Sequence, residues 1–450
     1  MEESDEANNY ETPEHSTISD AEESIQNRPN KKKLKRKFDS AGFRQRQQLI
    51  AAAQLNLSDV LGATPEAKID PSFKVVTIKD DIAQGAKYVF QGDGLRRVPP
   101  YYFTYLTYCK ARWRDKNIFE VFSKEFRDKE PDYYRQKIQE GQVTLNGHRV
   151  GLDATIRNGD LISHRSHKHE PAVPDRPIEI IFQNEEIVVI DKPSGVPVHP
   201  VGRYRYNTVT EIMKHEMNLI AHPAHRLDRL TSGVLILART GKAASQYSQR
   251  IRDRSVYKEY LARVLGEFPT DEVVCDLPVI TVDPRLGLNM VKTEGKPATT
   301  IFNRISFNGQ SSVVRCRPLT GRTHQIRIHL QYLGHPIQND PIYANRRVFG
   351  PHLGKGGDYD ENDVRWKLHK MGREEVSVSA AYEEIEAQYL QSRGEKLLGQ
   401  VCPLCESPLF SDARPYELEI WLHALKYGSK EENWEYETRI PDWAKENFVL

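Results

Sequence analysis

The stretch that most constrains this chain is His225-Arg-Leu-Asp-Arg-Leu-Thr-Ser-Gly-Val-Leu-Ile-Leu-Ala238, in which a polar loop runs without interruption into an apolar strand. Arg226, Asp228, Arg229, Thr231, Ser232 and Gly233 supply charge and a permissive backbone, while Val234 to Ala238 reads as a buried strand. Reactive groups are thereby fixed to core. Asp228 lies between two arginines in sequence, which favours its ionised form and suits it to act as a nucleophile or base. The competing structural reading is an ion pair capping the strand.

The whole string resembles the signature of the RluA-type pseudouridine synthases, H-R-L-D-x-x-T-S-G followed by an apolar strand. That resemblance implies that Asp228 is catalytic and that Arg226 takes the space vacated by a flipped uridine. Other motifs fit the same family. Asp191-Lys-Pro-Ser-Gly-Val-Pro-Val-His-Pro200 matches its first core motif, largely architectural there, so His199 is not expected to be catalytic. Lys258, Tyr260, Ala262, Val264 and Gly266 fit K-x-Y-x-A-x-V-x-G, and the resemblance makes Tyr260 the residue against the target base and a candidate for removing the C5 proton. Tyr257, three residues earlier, would face the other side of an ideal strand. Gly321-Arg-Thr-His-Gln-Ile-Arg-Ile-His329 resembles G-R-T-H-Q-I-R-x-H, implying that Arg327 pairs with the catalytic carboxylate and that Arg322 lies nearer the RNA backbone. Arg229 joins Arg226 and Arg322 as expected substrate-binding residues.

The expected fold is α+β: the pseudouridine synthase fold with a central mixed, largely antiparallel sheet, preceded by a small ribosomal-protein-type RNA-binding domain. Residues 1–72 carry an acidic stretch and then the basic run Lys31 to Lys37, with too little apolar content to order. That run suits a nuclear signal, an RNA-touching arm or simply a solvated tail. An aromatic lead-in at 73–112, with Tyr101, Tyr102, Phe103, Tyr105 and Tyr108, resembles a eukaryotic subgroup acting on the tRNA anticodon loop; the stripe reads as core first and as base-stacking second. Residues 113–168 read as two helices and a hairpin turning at Asn146-Gly147, resembling the appended RNA-binding module, on which Lys124, Arg127, Arg135 and Lys137 would meet phosphates. His164 to Pro177 is polar enough to be a linker. The catalytic domain then spans 175–450, with an insertion at about 350–413 that includes a helical pattern from Val376 to Ser392, and Leu418 to Tyr427 resembles a closing helix.

Composition narrows the chemistry. The 450 residues hold 64 Lys and Arg against 63 Asp and Glu, so any RNA-binding surface must be local. Five cysteines suit a reducing compartment, and cytoplasm or nucleus is expected ahead of the mitochondrion because no Arg-rich amphipathic leader is evident. No membrane span is expected. Cys402-Pro-Leu-Cys405 is half of a zinc site by spacing, but no C-x-x-C or H-x-x-H partner accompanies it and His423 would not complete four ligands, so no metal is expected. Neither GxGxxG nor a Walker motif occurs, consistent with no cofactor.

The function implied is isomerisation of uridine to pseudouridine in RNA, with tRNA position thirty-two as first substrate and rRNA or mRNA as alternatives, by an enzyme acting as a monomer. A non-catalytic RNA-binding adaptor is the rival, and the presence of Asp228, Tyr260 and Arg327 speaks against it. A fused deaminase is excluded by the absence of both H-x-E and P-C-x-x-C.

Overall fold

The computed structural model describes residues 85–126, 130–284, 286–371 and 397–448. The chain divides into Met1–Val75 and Val76–Leu450. The first unit, with the acidic stretch and the basic run, lies outside the described residues, as does the helical pattern expected at 376–392.

The N-terminal part of the second unit holds a four-stranded antiparallel sheet. Its elements are β1 (Tyr101–Tyr108), α1 (Ile118–Glu125), α2 (Pro131–Gln139), β2 (Val143–Leu145), β3 (His148–Arg149) and β4 (Leu161–Lys168), with strand order β1-β4-β2-β3. The Asn117 side chain caps α1 by accepting from the Glu120 amide, and Pro131 opens α2. Asn146 and Gly147 both have positive φ, 53° and 80°, as a two-residue hairpin of matching twist requires. Ile118, Val121 and Phe122 pack on Tyr134, Ile138, Val143 and Ile162.

Two sequence expectations change here. The aromatic stretch is neither a separate lead-in nor core: β1 pairs with β4 along its whole length, and Tyr105, Leu106 and Tyr108 are exposed. Arginines cover several of its rings, Arg165 over Tyr102 and Arg205 over Phe103, each 3.8 Å from the ring centre. Nor is 164–177 a linker from its start, because His164–Lys168 is the inner strand of the sheet. Its polarity hid it: Ser163 and Ser166 are buried, and the Ser163 hydroxyl bonds that of Thr144 across the β2–β4 pair.

The chain then passes Glu170, whose carboxylate accepts from the backbone amides of Arg205, Tyr206 and Asn207 at 2.9 Å each and from the Tyr101 hydroxyl. This joint ties β1 to the body that follows.

That body is organised by a ten-stranded mixed sheet. Its main path uses β5 (Glu179–Gln183), β6 (Ile187–Lys192), β7 (Ser232–Ala238), β8 (Tyr257–Leu265), β9 (Val273–Asp276), β10 (Thr299–Phe307), β11 (Ser311–Pro318) and, after a hairpin of β12 (Leu397–Val401) and β13 (Pro408–Phe410), β14 (Leu422–Ser429). The order is β9-β10-β11-β8-β14-β7-β6-β5, with β15 (Trp434–Glu437) on β14 and His222–Pro223 on β7. Among the described strand pairs of this sheet, only β7–β14 is parallel. Helices α3 (Val209–Glu216), α4 (Gly241–Arg252) and α5 (Gln325–Tyr332) lie against this framework, and α5 stops where Gly334 adopts φ 88°. Among the described residues no helix is long and apolar enough to cross a membrane. Helix α6 (Glu361–Met371), within the expected insertion, buries Val364 in a second core with Ile328, Tyr343 and Val348.

The expected closing helix at Leu418 to Tyr427 is instead strand β14. It runs between β8 and β7 with nearly every residue buried, so apolar residues stand on both its faces, and Leu418, Trp421, Leu422 and Leu425 fall at the i, i+3, i+4, i+7 spacing of a helix.

Gly233, the last letter of the signature, shows why β7 and β14 can approach so closely. Its φ is 108°, and a Cβ there would run into the Ala424 carbonyl and lie 2.6 Å from the Ala424 nitrogen. Gly233→Ala should therefore lower stability by about 3 kcal/mol or more, combining backbone strain with overpacking. Urea unfolding monitored by circular dichroism checks this, and a loss below about 1 kcal/mol would contradict the close approach.

Candidate active site

The loop from Ala224 to Thr231 is held from beneath. The Thr231 amide donates to the Asp228 carbonyl at 3.1 Å, closing a tight turn. Buried Lys192 donates to three carbonyls, those of Pro193 (2.8 Å), Arg229 (3.1 Å) and Thr231 (2.8 Å). Burial pulls this amine down to about 7, but three acceptors match the three N–H bonds of an ammonium, so the geometry favours the charged form. Ser232 bonds His423 Nδ1 at 2.8 Å, fastening the loop's end to β14. His225 accepts the Ile236 amide on Nε2 at 3.1 Å; burial lowers its pKa to about 3, so it is a neutral structural imidazole.

Asp228 stands on this platform, its side chain 23 % exposed. Arg327 Nη1 lies 3.4 Å and His324 Nε2 3.5 Å from the same carboxylate oxygen. Burial would raise the carboxyl's pKa, but His324, Arg327 and Arg226 together outweigh it and hold the group below its ordinary value. His324 is itself pushed to about 4, chiefly by burial, so near neutral pH the cations that keep Asp228 ionised are Arg327 and Arg226. Arg229 is not one of them. Its guanidinium leans toward the Tyr204 ring at 5.7 Å and it does not line the cleft, so the expected pair of flanking arginines is corrected: Arg226 stays, and Arg327 replaces Arg229. The turn at Asp228–Thr231 sends consecutive side chains different ways.

Arg327 is buried and divides itself between two carboxylates. Its Nε and Nη2 form a fork on Asp340, 2.6 and 2.9 Å, leaving Nη1 for Asp228. Asp340 has no exposure and also accepts from the Ile342 and Tyr343 amides at 2.9 and 3.0 Å. His324, at the start of α5 with φ 58°, sets Nδ1 3.0 Å from the Tyr343 hydroxyl. That hydroxyl has one proton for two acceptors, His324 Nδ1 and the more distant Asn289 carbonyl at 3.2 Å. If the shorter bond takes the proton, the N–H of His324 is on Nε2, directed at Asp228.

On the opposite wall, Lys258 and Tyr260 project from β8 beside Tyr427 of β14, while Tyr257 reaches Glu435 of β15. The Tyr260 and Tyr427 hydroxyls bond each other, and burial raises both phenols above their ordinary value. Between these walls lies a cleft of about 340 Å³, with Arg226 exposed and Arg322 half-buried, the latter donating to the Pro297 carbonyl at 3.1 Å. The volume and polarity suit one base-sized ligand.

Sequence reasoning missed Asp340, His324 and Tyr427. Each earns its place by a contact across the fold, although Gly334 to Tyr343 continues the family pattern and His324 lies inside a quoted motif. On the helices packed against the small sheet, Lys124 of α1 and Arg135 of α2 are largely exposed, with Glu120 and Asp132 beside them. Lys137 is buried on Glu140 at 2.7 Å, which corrects its expected phosphate role: it flanks the buried Tyr134 and Ile138 stripe of α2. Arg127 lies outside the described residues. The expectation that Cys402 and Cys405 lack metal partners is overturned as well. His167 and His169 stand with them, all four ligand atoms within 4.8 Å of one another. An H-x-H pair at the end of a strand puts both rings in reach, a spacing outside the C-x-x-C and H-x-x-H patterns sought.

The Arg327 fork predicts the cost of losing its buried partner. Asp340→Leu should destabilise by about 3–5 kcal/mol and, in whatever fraction folds, slow turnover, because a buried guanidinium is left uncompensated. Denaturant unfolding together with single-turnover rates would reveal it, and a near-neutral variant would show that Arg327 is held by something else.

With this geometry in place, comparison with known proteins is informative. The sequence pattern described as RNA pseudouridylate synthase matches residues 186–332, a span from just before β6 to the end of α5. The chain is 48% identical over 361 residues to a Saccharomyces cerevisiae protein named tRNA pseudouridine(32) synthase, mitochondrial, covering 78% of this chain and 77% of that one. It is 40% identical over 443 residues to the Homo sapiens pseudouridylate synthase RPUSD2, covering 86% and 81%. A second S. cerevisiae protein, named tRNA pseudouridine(31) synthase, is 33% identical over 410 residues, covering 79% and 97%. Likeness of this degree, over most of each relative's length, makes the chain a member of the RNA pseudouridylate synthase family, an RNA pseudouridine synthase.

Proposed function

We propose that this enzyme converts uridine to pseudouridine at position 32 of the tRNA anticodon stem-loop and that Asp228 begins the reaction. The observation that carries the catalytic part is an ionised, partly exposed carboxylate in a base-sized cleft, braced by a buried arginine with its own second carboxylate. The substrate part rests on relatives. The 48% identical yeast protein is named for position 32 and the 33% identical one for position 31, so the greater likeness favours 32. RNA of other classes is the alternative, because splayed loops are recognised by shape that short motifs do not encode.

The chemistry breaks the N1–C1′ bond, turns the base and forms C5–C1′, after which C5 loses its proton. Asp228 serves as nucleophile at C1′ or C6, or as the base of an elimination. Extrusion of the uridine costs a few kcal/mol, and Arg226 at the mouth of the cleft is positioned to occupy the space left behind. Tyr260 offers a ring to the base. Its raised pKa keeps the phenol protonated near neutral pH, which favours a stacking role over that of a standing phenolate base and leaves the C5 proton to Asp228 or water. Lys124 on α1 and Arg135 on α2 are exposed cations suited to phosphate contact, and the fully assembled cleft speaks against the adaptor reading. We read the enzyme as a monomer. The mitochondrial label of the yeast relative weighs against ranking the mitochondrion below cytoplasm and nucleus.

Asp228→Asn preserves shape but removes the charge. The folded variant should bind an anticodon stem-loop within about tenfold of wild type, about 1.4 kcal/mol, and form no pseudouridine, since phosphate contacts carry most of the affinity. Near-normal turnover would end the assignment. Mapping pseudouridine in RNA from cells with and without the gene tests the substrate: loss confined to rRNA or mRNA sites would replace the tRNA reading.

The pH dependence has a definite sign. Asp228 is depressed below 3.8 and must be ionised to act, so its contribution is complete above that value and is lost only as pH falls through the lower folded pKa. Turnover should show no loss attributable to Asp228 between about pH 5 and 7. A single-turnover pH profile with an acid limb centred above about pH 5, absent when RNA binding is saturated, would assign the limb to binding; one that persists at saturation would contradict the depressed carboxyl.

A further inference from the structure

We propose that His167, His169, Cys402 and Cys405 form a tetrahedral Cys2His2 site for zinc, which pins the β12–β13 hairpin to the end of β4. The two halves come from points some 235 residues apart in sequence. Cys402 Sγ lies 3.6 Å from His167 Nδ1, and Cys405 Sγ 3.4 Å from His169 Nε2. Zinc bonds of about 2.3 Å to sulfur and 2.0–2.1 Å to nitrogen, at tetrahedral angles, put sulfur and nitrogen ligands about 3.6 Å apart. Both cross-pairs meet that spacing already. The largest separation in the set is within 4.8 Å, so the four atoms close on one ion with shifts of about 1 Å.

The backbone around the cysteines is built for the same purpose. The Glu406 amide donates to the Cys402 carbonyl at 2.8 Å and the Cys402 amide to the Ser407 carbonyl at 2.9 Å, closing a tight knuckle in which Glu406 takes φ 55°. The Leu404 amide points at Cys402 Sγ from 3.4 Å, a contact that favours thiolate. Cys402 is 4% exposed, and both thiols are free of disulfides. His167 and His169 are two residues apart at the end of β4, and their rings stand nearly perpendicular at 4.8 Å, as two ligands of one tetrahedral centre can. Two thiolates and two imidazoles select zinc among abundant divalent ions, and four protein ligands leave no open position, so the site is structural.

Other contacts also hold the hairpin region. Arg203 leans on the Phe410 ring at 4.9 Å, and just beyond the hairpin Arg97 pairs with Asp412 at 2.6 Å. With the metal bound, residues 397–413 become a strut between the small sheet and the body that carries the cleft. That strut is independent of the uridine chemistry, so its failure leaves the proposed reaction standing.

The test uses the full chain purified under reducing conditions, stripped of metal, reconstituted with Zn(II) and dialysed. Elemental analysis should find about one zinc per chain. The double variant Cys402→Ser/Cys405→Ser and the single His169→Ala should lose it, whereas His169→Cys, which restores a ligand, should keep it. Co(II) in place of zinc should give the intense visible bands and sulfur-to-metal charge transfer of tetrahedral thiolate coordination in wild type and not in the double variant. Zinc-free protein should melt at a lower temperature yet still form pseudouridine below that temperature. Wild type without stoichiometric zinc, zinc retained by both the double variant and His169→Ala, or octahedral cobalt spectra would each overturn the site. Activity that disappears on stripping from protein that is still folded would overturn the structural role.

Discussion

The arrangement of the cleft depends on one guanidinium having two carboxylates to serve. Arg327 is almost wholly withdrawn from water, which on its own would cost several kcal/mol, and the fork on Asp340 offsets that cost before Asp228 is considered. Asp340 is satisfied in turn by two amides of its own turn. The third Arg327 nitrogen is therefore delivered to Asp228 in a fixed direction. An arginine with Asp228 as its only acidic partner would be free to follow that side chain. Here the direction is set from behind, and the carboxylate proposed to act on substrate is the junior partner of the pair.

The platform under Asp228 follows the same logic at the level of backbone. Lys192 spends its donors on loop carbonyls and not on a carboxylate, so the shape of the turn at Asp228–Thr231 is specified without neutralising the Asp228 carboxylate. Gly233 then allows β7 to lie directly against β14, which brings the far wall of the cleft, where Tyr427 of β14 bonds Tyr260 of β8, up to the Asp228 loop. Charge, backbone and sheet register thus converge on a volume fit for one base.

Much of this was legible in the sequence, and the limits have physical causes. Asp228, Arg226, Tyr260, Arg322 and Arg327 sit in contiguous motifs, and the cleft gathers all five although 99 residues separate Asp228 from Arg327. Asp340 and Tyr427 were not legible, because their roles are contacts made only after distant elements pack. Arg229 looked equivalent to Arg226 since each is near Asp228 in sequence, but a tight turn separates what adjacency joins. The same blindness to register hid β4 behind its serines and histidines and gave β14 the look of a helix. Lys137 illustrates the converse error: a cation on an amphipathic helix was read as solvent-facing when its stem lies along the buried stripe.

The place of β14 in the sheet has a consequence for how the molecule comes into being. Strands β5, β6 and β7 form one group and β8 to β11 another, and the strand that joins them is residues 422–429, made after both. During synthesis the two groups wait with unpaired edges while the ribosome translates more than a hundred further residues, including the β12–β13 hairpin. Pairings this distant in sequence form slowly and expose sticky edges meanwhile. The nascent chain thus passes through a stage in which most of its sheet exists but no strand pairing joins its two halves, and that stage is where holdase chaperones have the most to offer.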